Sequence, residues 1–181
     1  MGMESTDVVA RVRVDLRRTW LIWSVLPLAV FLLALLAGTA VYASAPVLSQ
    51  KRAEDSFYAF LAISALVFLF AFSLDGYWTN PKRVARAIAR HGDGAPAGDI
   101  TARVVVGSAS ALGVMGQVMG LVPILCLSGG AGVTHAYLLL TMAISYHLFL
   151  FSRHPYYEQV VEAAASGELT AHIGAGKPKK S

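Results

Sequence analysis

Four long apolar runs, separated by short segments that hold all the Asp, Glu, Lys and Arg residues, constrain this chain more than any other feature. They fall at about 20–42, 57–73, 104–127 and 136–152. Uncharged runs of about 18 residues or more read as membrane spans, because a helix rising about 1.5 Å per residue then crosses a hydrocarbon core of about 30 Å. The second and fourth runs stand at the short limit. In lipid every backbone polar group needs an internal partner, which leaves only helices and closed barrels, and four strands cannot close a barrel. Composition agrees: 14% of the 181 residues are charged, against roughly 25% in soluble domains.

The expected fold is an all-α membrane protein with four transmembrane helices arranged as two hairpins. Its basic residues orient it. Arg11, Arg13, Arg17 and Arg18 precede the first run; Lys82, Arg83, Arg86, Arg90 and Arg103 lie between the second and third; Arg153, Lys177, Lys179 and Lys180 follow the fourth. With four spans all of these fall on one side, and the other side keeps only Lys51 and Arg52, offset by Glu54 and Asp55. Basic residues beside spans stay in the cytoplasm, so both termini are expected there, in a cell inner (plasma) membrane protein. Trp20, Trp23, Tyr77, Trp78, Tyr156 and Tyr157 mark one interface; Tyr42, Tyr58 and Tyr137 mark the other. The net charge of +4 is thereby explained by topology, and nucleic acid is not an expected partner.

Ala43-Ser44-Ala45 resembles a signal-peptide cleavage site. The apolar stretch before it exceeds the roughly 7 to 15 residues of a secretory core, and Pro46 follows directly, so the first span is expected to be retained. The chain then divides into a cytoplasmic N-terminal segment (1–19), a transmembrane domain (20–152) and a cytoplasmic C-terminal helix with a basic tail (153–181).

Two short cytoplasmic helices are expected. Over 80–91, Asn80 suits the N-cap, Pro81 the first helical position and Gly92 the stop. Arg83, Arg86 and Arg90 share one face, and Val84, Ala87 and Ile88 another. Such a helix suits an anionic leaflet, and equally a solvated loop obeying the positive-inside rule. Gly94 to Gly98 reads as a linker. The second helix starts at Pro155 and stops at Gly167, with Glu158 and Glu162 at i, i+4; Gly174 to Ser181 reads as a disordered basic tail. Each half is thus a pair of spans followed by a proline-started helix, with Phe72-Ser73 matched by Phe151-Ser152, which suggests a parallel duplication. The basic helix and the acidic one emerge on the same side, so Arg83, Arg86 or Arg90 is expected to face Glu158 or Glu162 as a docking layer.

Within the spans, Ala109, Gly113, Gly116 and Gly120 form a continuous small-residue face suited to close helix packing, with Ala34 and Gly38 as a complementary patch. Gln117 beside it needs a partner from another helix, or lines a polar path. Pro27 and Pro123 are kink candidates. His147 shares a face with Ala136, Leu140 and Ala143, about six residues or roughly 9 Å from Arg153. Intramembrane ionisable residues are functional candidates, although a neutral histidine bonded to a carbonyl would suffice. Asp75 sits where the second span ends and is expected to pair with Arg153 or a loop arginine. Cys126, the single cysteine, excludes a disulfide within the chain and reads as a small buried hydrophobe.

No catalytic, metal or nucleotide motif is present. No histidine lies in the first three spans, so bis-histidine heme within one chain is excluded and no cofactor is expected. The expected role is a subunit or scaffold of a membrane complex, partnered by lipid and by other membrane subunits or a second copy. The alternative is a small transporter or channel component with a polar path near Gln117 and His147. A lipid-acting enzyme using His147 and Asp75 lacks a nucleophile.

Overall fold

The computed structural model describes residues 2–42, 50–90 and 96–169. The cleavage-like Ala43-Ser44-Ala45, the Gly92 stop, the first part of the glycine-rich linker and the basic tail lie outside the described residues. Those described are helical, without strands: α1 (Gly2–Trp20), α2 (Leu26–Tyr42), α3 (Gln50–Trp78), α4 (Pro81–Arg90), α5 (Ala97–Ser128), α6 (Val133–Ser152) and α7 (His154–Ala165). Among the described residues four helices are long and apolar enough to cross a membrane, which makes this a multi-pass membrane protein.

Every membrane helix overruns its apolar run. The run marks only the part that crosses hydrocarbon, whereas the helix continues through the polar flanks, where water and lipid headgroups satisfy side chains. The largest overrun is α1, which runs through the segment expected as a cytoplasmic N-terminal stretch without a helix of its own. Its signal was present: Val8, Val12 and Leu16 recur every fourth residue and all are buried, while Arg11, Arg13 and Arg17 face out.

α1 joins α2 through a wide turn at Leu21–Val25, where the Leu26 N–H reaches the Leu21 carbonyl five residues back. Pro27 is the cause. It has no N–H to return to Trp23, and its ring crowds that carbonyl, so the helix takes up one residue of slack just before it.

α5 is the central helix and packs against all the others. α6 lies along it, joined by a tight turn in which Gly130 adopts a left-handed φ of 83°. α2 packs on one side of this pair through Leu35 against Leu127, Ala136 and Leu140. α3 packs on the other through Phe57, Phe60 and Leu61 against Val122, Cys126 and Leu139. α2 and α3 therefore meet α5 far more than each other, and the first two spans do not form the packed hairpin expected from their order. The small residues of α5 let both approach it closely, which outweighs the proximity that a short connection imposes.

At one end of the bundle α1, α4, α7 and the start of α5 form a second layer around Val12, Leu16, Val84, Val105, Tyr157 and Val161. Asn80 caps α4, its side-chain oxygen accepting from the Lys82 N–H at 3.0 Å. Gly167, with a φ of 83°, ends the segment after α7. All the described basic residues outside Lys51 and Arg52 belong to this end, termed the basic end below.

Candidate functional site

Three groups of polar residues are built into the fold. The first is the Asp75 node, which ties the end of α3 to the junction of α6 and α7. Asp75 is 2% exposed. Its Oδ2 accepts from Arg153 Nε at 2.7 Å, and its Oδ1 accepts from the Tyr157 hydroxyl at 2.5 Å. The Arg153 guanidinium lies 4.2 Å from the centre of the Tyr156 ring, whose hydroxyl reaches the Thr79 carbonyl at 3.3 Å. Thr79 turns back to bond the Asp75 carbonyl at 2.7 Å, closing the end of α3. A buried carboxylate is tolerable here because both oxygens are bonded and one partner is a cation. The node joins three helices, with one donor on each oxygen of a buried carboxylate, so its chemistry is that of a clasp.

The second group surrounds the small-residue face of α5. A Cβ on Gly113 would stand 2.6 Å from Trp23 Cβ, and one on Gly116 would stand 2.5 Å from His147 Cε1 and 2.8 Å from Tyr146 Cε1. A Cβ on Gly120 would run into the Phe31 ring. Ala109 joins the basic-end layer. The face is thus filled by α2, the wide turn and α6 of the same chain. Gly38, the expected complement, approaches Leu127 and not this face. His147 is 3% exposed and packs on Gly116. Neither ring nitrogen has a partner of strict hydrogen-bond geometry, and the Gly116 backbone is the polar group at hand. The backbone carbonyl of His147 accepts from Trp20 Nε1 at 3.3 Å, and the neighbouring Tyr146 hydroxyl bonds the Leu112 carbonyl at 2.7 Å.

Gln117 stands one residue, or about 100°, round the helix from Gly116. It is half-buried at the edge of the bundle and bonds no other helix among the described residues, contrary to the expectation that a neighbour would satisfy it. The reason is that Gly113, Gly116 and Gly120 already draw the neighbours to their own face. Cys126 is fully buried among apolar groups.

The third group is the charged surface of the basic end. Glu158 takes three contacts from Arg13, the shortest 2.7 Å from Nη2. The expected pairing of α4 arginines with Glu158 is therefore replaced by one from α1, which lies between α5 and α7 and brings its own arginine to that face. Arg83 instead stacks on Tyr77, 3.8 Å from the ring centre, and Arg86 turns back to the Lys82 carbonyl. Arg83, Arg86 and Arg90 all border a cavity of about 540 Å³ between α4 and α5. Glu162 lies on the exposed side of α7.

Among the described residues no three His, Cys, Asp or Glu side chains gather as a metal site. No protein-family model matches this chain, no characterised protein aligns with it, and no solved structure resembles it.

Proposed function

We propose that this chain is a small multi-pass protein of the cell inner (plasma) membrane, with both termini in the cytoplasm, that serves as a subunit or scaffold of a membrane complex. The observation that carries this reading is the uneven burial of the spans. Half of the apolar window of the third span and 39% of the fourth are buried within the chain, against 11% for the first and second. Val30 and Leu33 on α2, and Leu66 and Leu69 on α3, are each more than 60% exposed. Two well-packed helices thus carry two that present most of their circumference outward, as a subunit does when neighbours and lipid complete its surroundings. The layer of α1, α4 and α7 supplies a fixed polar surface at the basic end, and positive-inside placement puts that surface in the cytoplasm.

A polar path is less well supported. Gln117 and His147 address different faces of α5, with the packed Gly116 face between His147 and the outside. The test is purification of the full chain from its native membrane in mild detergent, followed by mass spectrometry of co-purifying chains. A stoichiometric second chain or second copy is expected. A homogeneous single chain with neither would overturn the reading.

A further inference from the structure

We infer that the cavity between α4 and α5 is a binding site for the phosphate headgroup of an anionic phospholipid, whose acyl chains run along the open face of α5. The inference rests on the chain being a membrane protein and is independent of the subunit reading.

The cavity is lined by four guanidinium-bearing side chains, Arg83, Arg86 and Arg90 from α4 and Arg103 from α5, with no carboxylate among the described lining residues. Four cations held around about 540 Å³ repel one another unless an anion joins them. Among the described residues the nearby carboxylates are engaged elsewhere: Asp75 by Arg153 and Tyr157, Glu158 by Arg13, and Asp99 by Arg11 at 3.4 Å. Arg83 adds a specific indication. Its guanidinium is pinned on the Tyr77 ring, and its Nη1 is buried without a hydrogen-bond partner. A buried charged donor left unpaired is costly, and a phosphate oxygen is the acceptor that a guanidinium fork fits best.

What identifies the anion as a lipid is the wall opposite the arginines. Val104, Gly107 and Ala111 of α5 line the cavity. From Gly107 an exposed stripe continues along the same helix through Val114, Val118, Leu121 and Leu125, at i+7, i+11, i+14 and i+18. α3 covers α5 on one flank of this stripe through Val122 and Cys126, and α2 covers the other through Gly120 and Leu127. A Cβ on Gly107 would meet nothing within 4 Å, so the passage from cavity to stripe is open. A charged pocket that leads into an apolar channel between spans has the shape of a headgroup with its chains. A soluble phosphate would use the pocket and leave the channel unexplained.

The test uses the full chain in mixed micelles holding equal phosphatidylglycerol and phosphatidylcholine, read by native mass spectrometry of retained lipid. Preferential retention of one phosphatidylglycerol is expected. The double variant R83Q/R103Q should lower that retention roughly thirtyfold, at about a factor of five per arginine. Gly107→Leu, which blocks the channel without touching a charge, should lower it as well, and this variant keeps the test decisive if the double variant does not fold. The charge-matched control R17Q/R18Q, on the outward side of α1, should leave it unchanged. Equal retention of the two lipids, equal loss in the control, or undiminished retention in Gly107→Leu would overturn the inference. So would displacement of the lipid by millimolar inorganic phosphate, since that outcome assigns the pocket to a free anion.

Discussion

The hydroxyl of Tyr157 lies 2.5 Å from Oδ1 of Asp75, a carboxylate almost wholly removed from solvent at the end of α3. Together with the Arg153 Nε–H on Oδ2 it completes a donor set, one donor on each carboxylate oxygen, that makes this burial tolerable. Removing one donor and removing the carboxylate should therefore have different consequences. Tyr157→Phe leaves an ion pair with one lone pair unfilled and should cost about 1–2 kcal/mol. Asp75→Ala strands both Tyr157 and Arg153; because the Arg153 side chain keeps 29% exposure, the cost should be about 2–3 kcal/mol, below that of a fully buried pair. Thermal unfolding in detergent micelles checks the order. Equal stability of Asp75→Ala and the parent chain would show that the clasp holds nothing.

The glycines of α5 separate into those that a neighbour occupies and one that faces open space. Gly113→Ala places its methyl against Trp23 Cβ, an atom fixed to the backbone of the wide turn, so the helices must part. A loss of about 1–3 kcal/mol is expected. Gly116→Ala meets ring atoms of Tyr146 and His147, which swing more readily, and should cost less. Gly107→Ala meets nothing and should raise stability by up to about 1 kcal/mol through helix propensity alone. If all three substitutions shift the unfolding midpoint alike, the packing of α5 is not as described.

Much of this architecture is legible in the residue pattern. Uncharged runs locate the spans because lipid admits no other arrangement, and Asn80-Pro81 and Gly167 locate the ends of short helices because backbone chemistry at helix termini is local. What is not legible depends on which helix comes to meet a face. The residues of α5 name a surface fit for close approach, yet nothing local says that Trp23, Phe31 and Tyr146 fill it. The same holds for Glu158, whose charge was evident and whose partner was not. Its neighbour comes from α1, whose Val8-Val12-Leu16 stripe is masked in the sequence by four arginines that speak first for topology.

The Arg13–Glu158 contact should behave as a largely exposed, salt-screened ion pair that fixes arrangement more than stability. Arg13→Glu and Glu158→Arg should each destabilise the basic end, and the double reversal should recover most of the loss. Arg86→Glu combined with Glu158→Arg should show no such recovery, since Arg86 bonds the Lys82 carbonyl on its own helix. A double-mutant cycle by thermal unfolding at low salt decides between them, and coupling in the second cycle but not the first would restore the α4–α7 pairing that the structure replaces.

His147 offers the sharpest separation of structure from chemistry. Its imidazole is buried on α6 with neither nitrogen in strict hydrogen-bond geometry and only the Gly116 backbone at hand, so in a protein where it is only packing material it is a poor choice. An apolar side chain of similar volume removes the unsatisfied polar atoms, each of which costs about 1–3 kcal/mol to bury. His147→Leu should therefore be at least as stable as the parent chain. Tyr146→Phe, one residue away, should lose about 1 kcal/mol, because its hydroxyl does have a partner at the Leu112 carbonyl. Unfolding midpoints of the two variants in the same detergent give the comparison. A destabilised His147→Leu would mean that the imidazole is bonded in the membrane. A stabilised one that still co-purifies with its partner chain would mark His147 as dispensable for assembly, and one that loses its partner would place the imidazole at the contact itself.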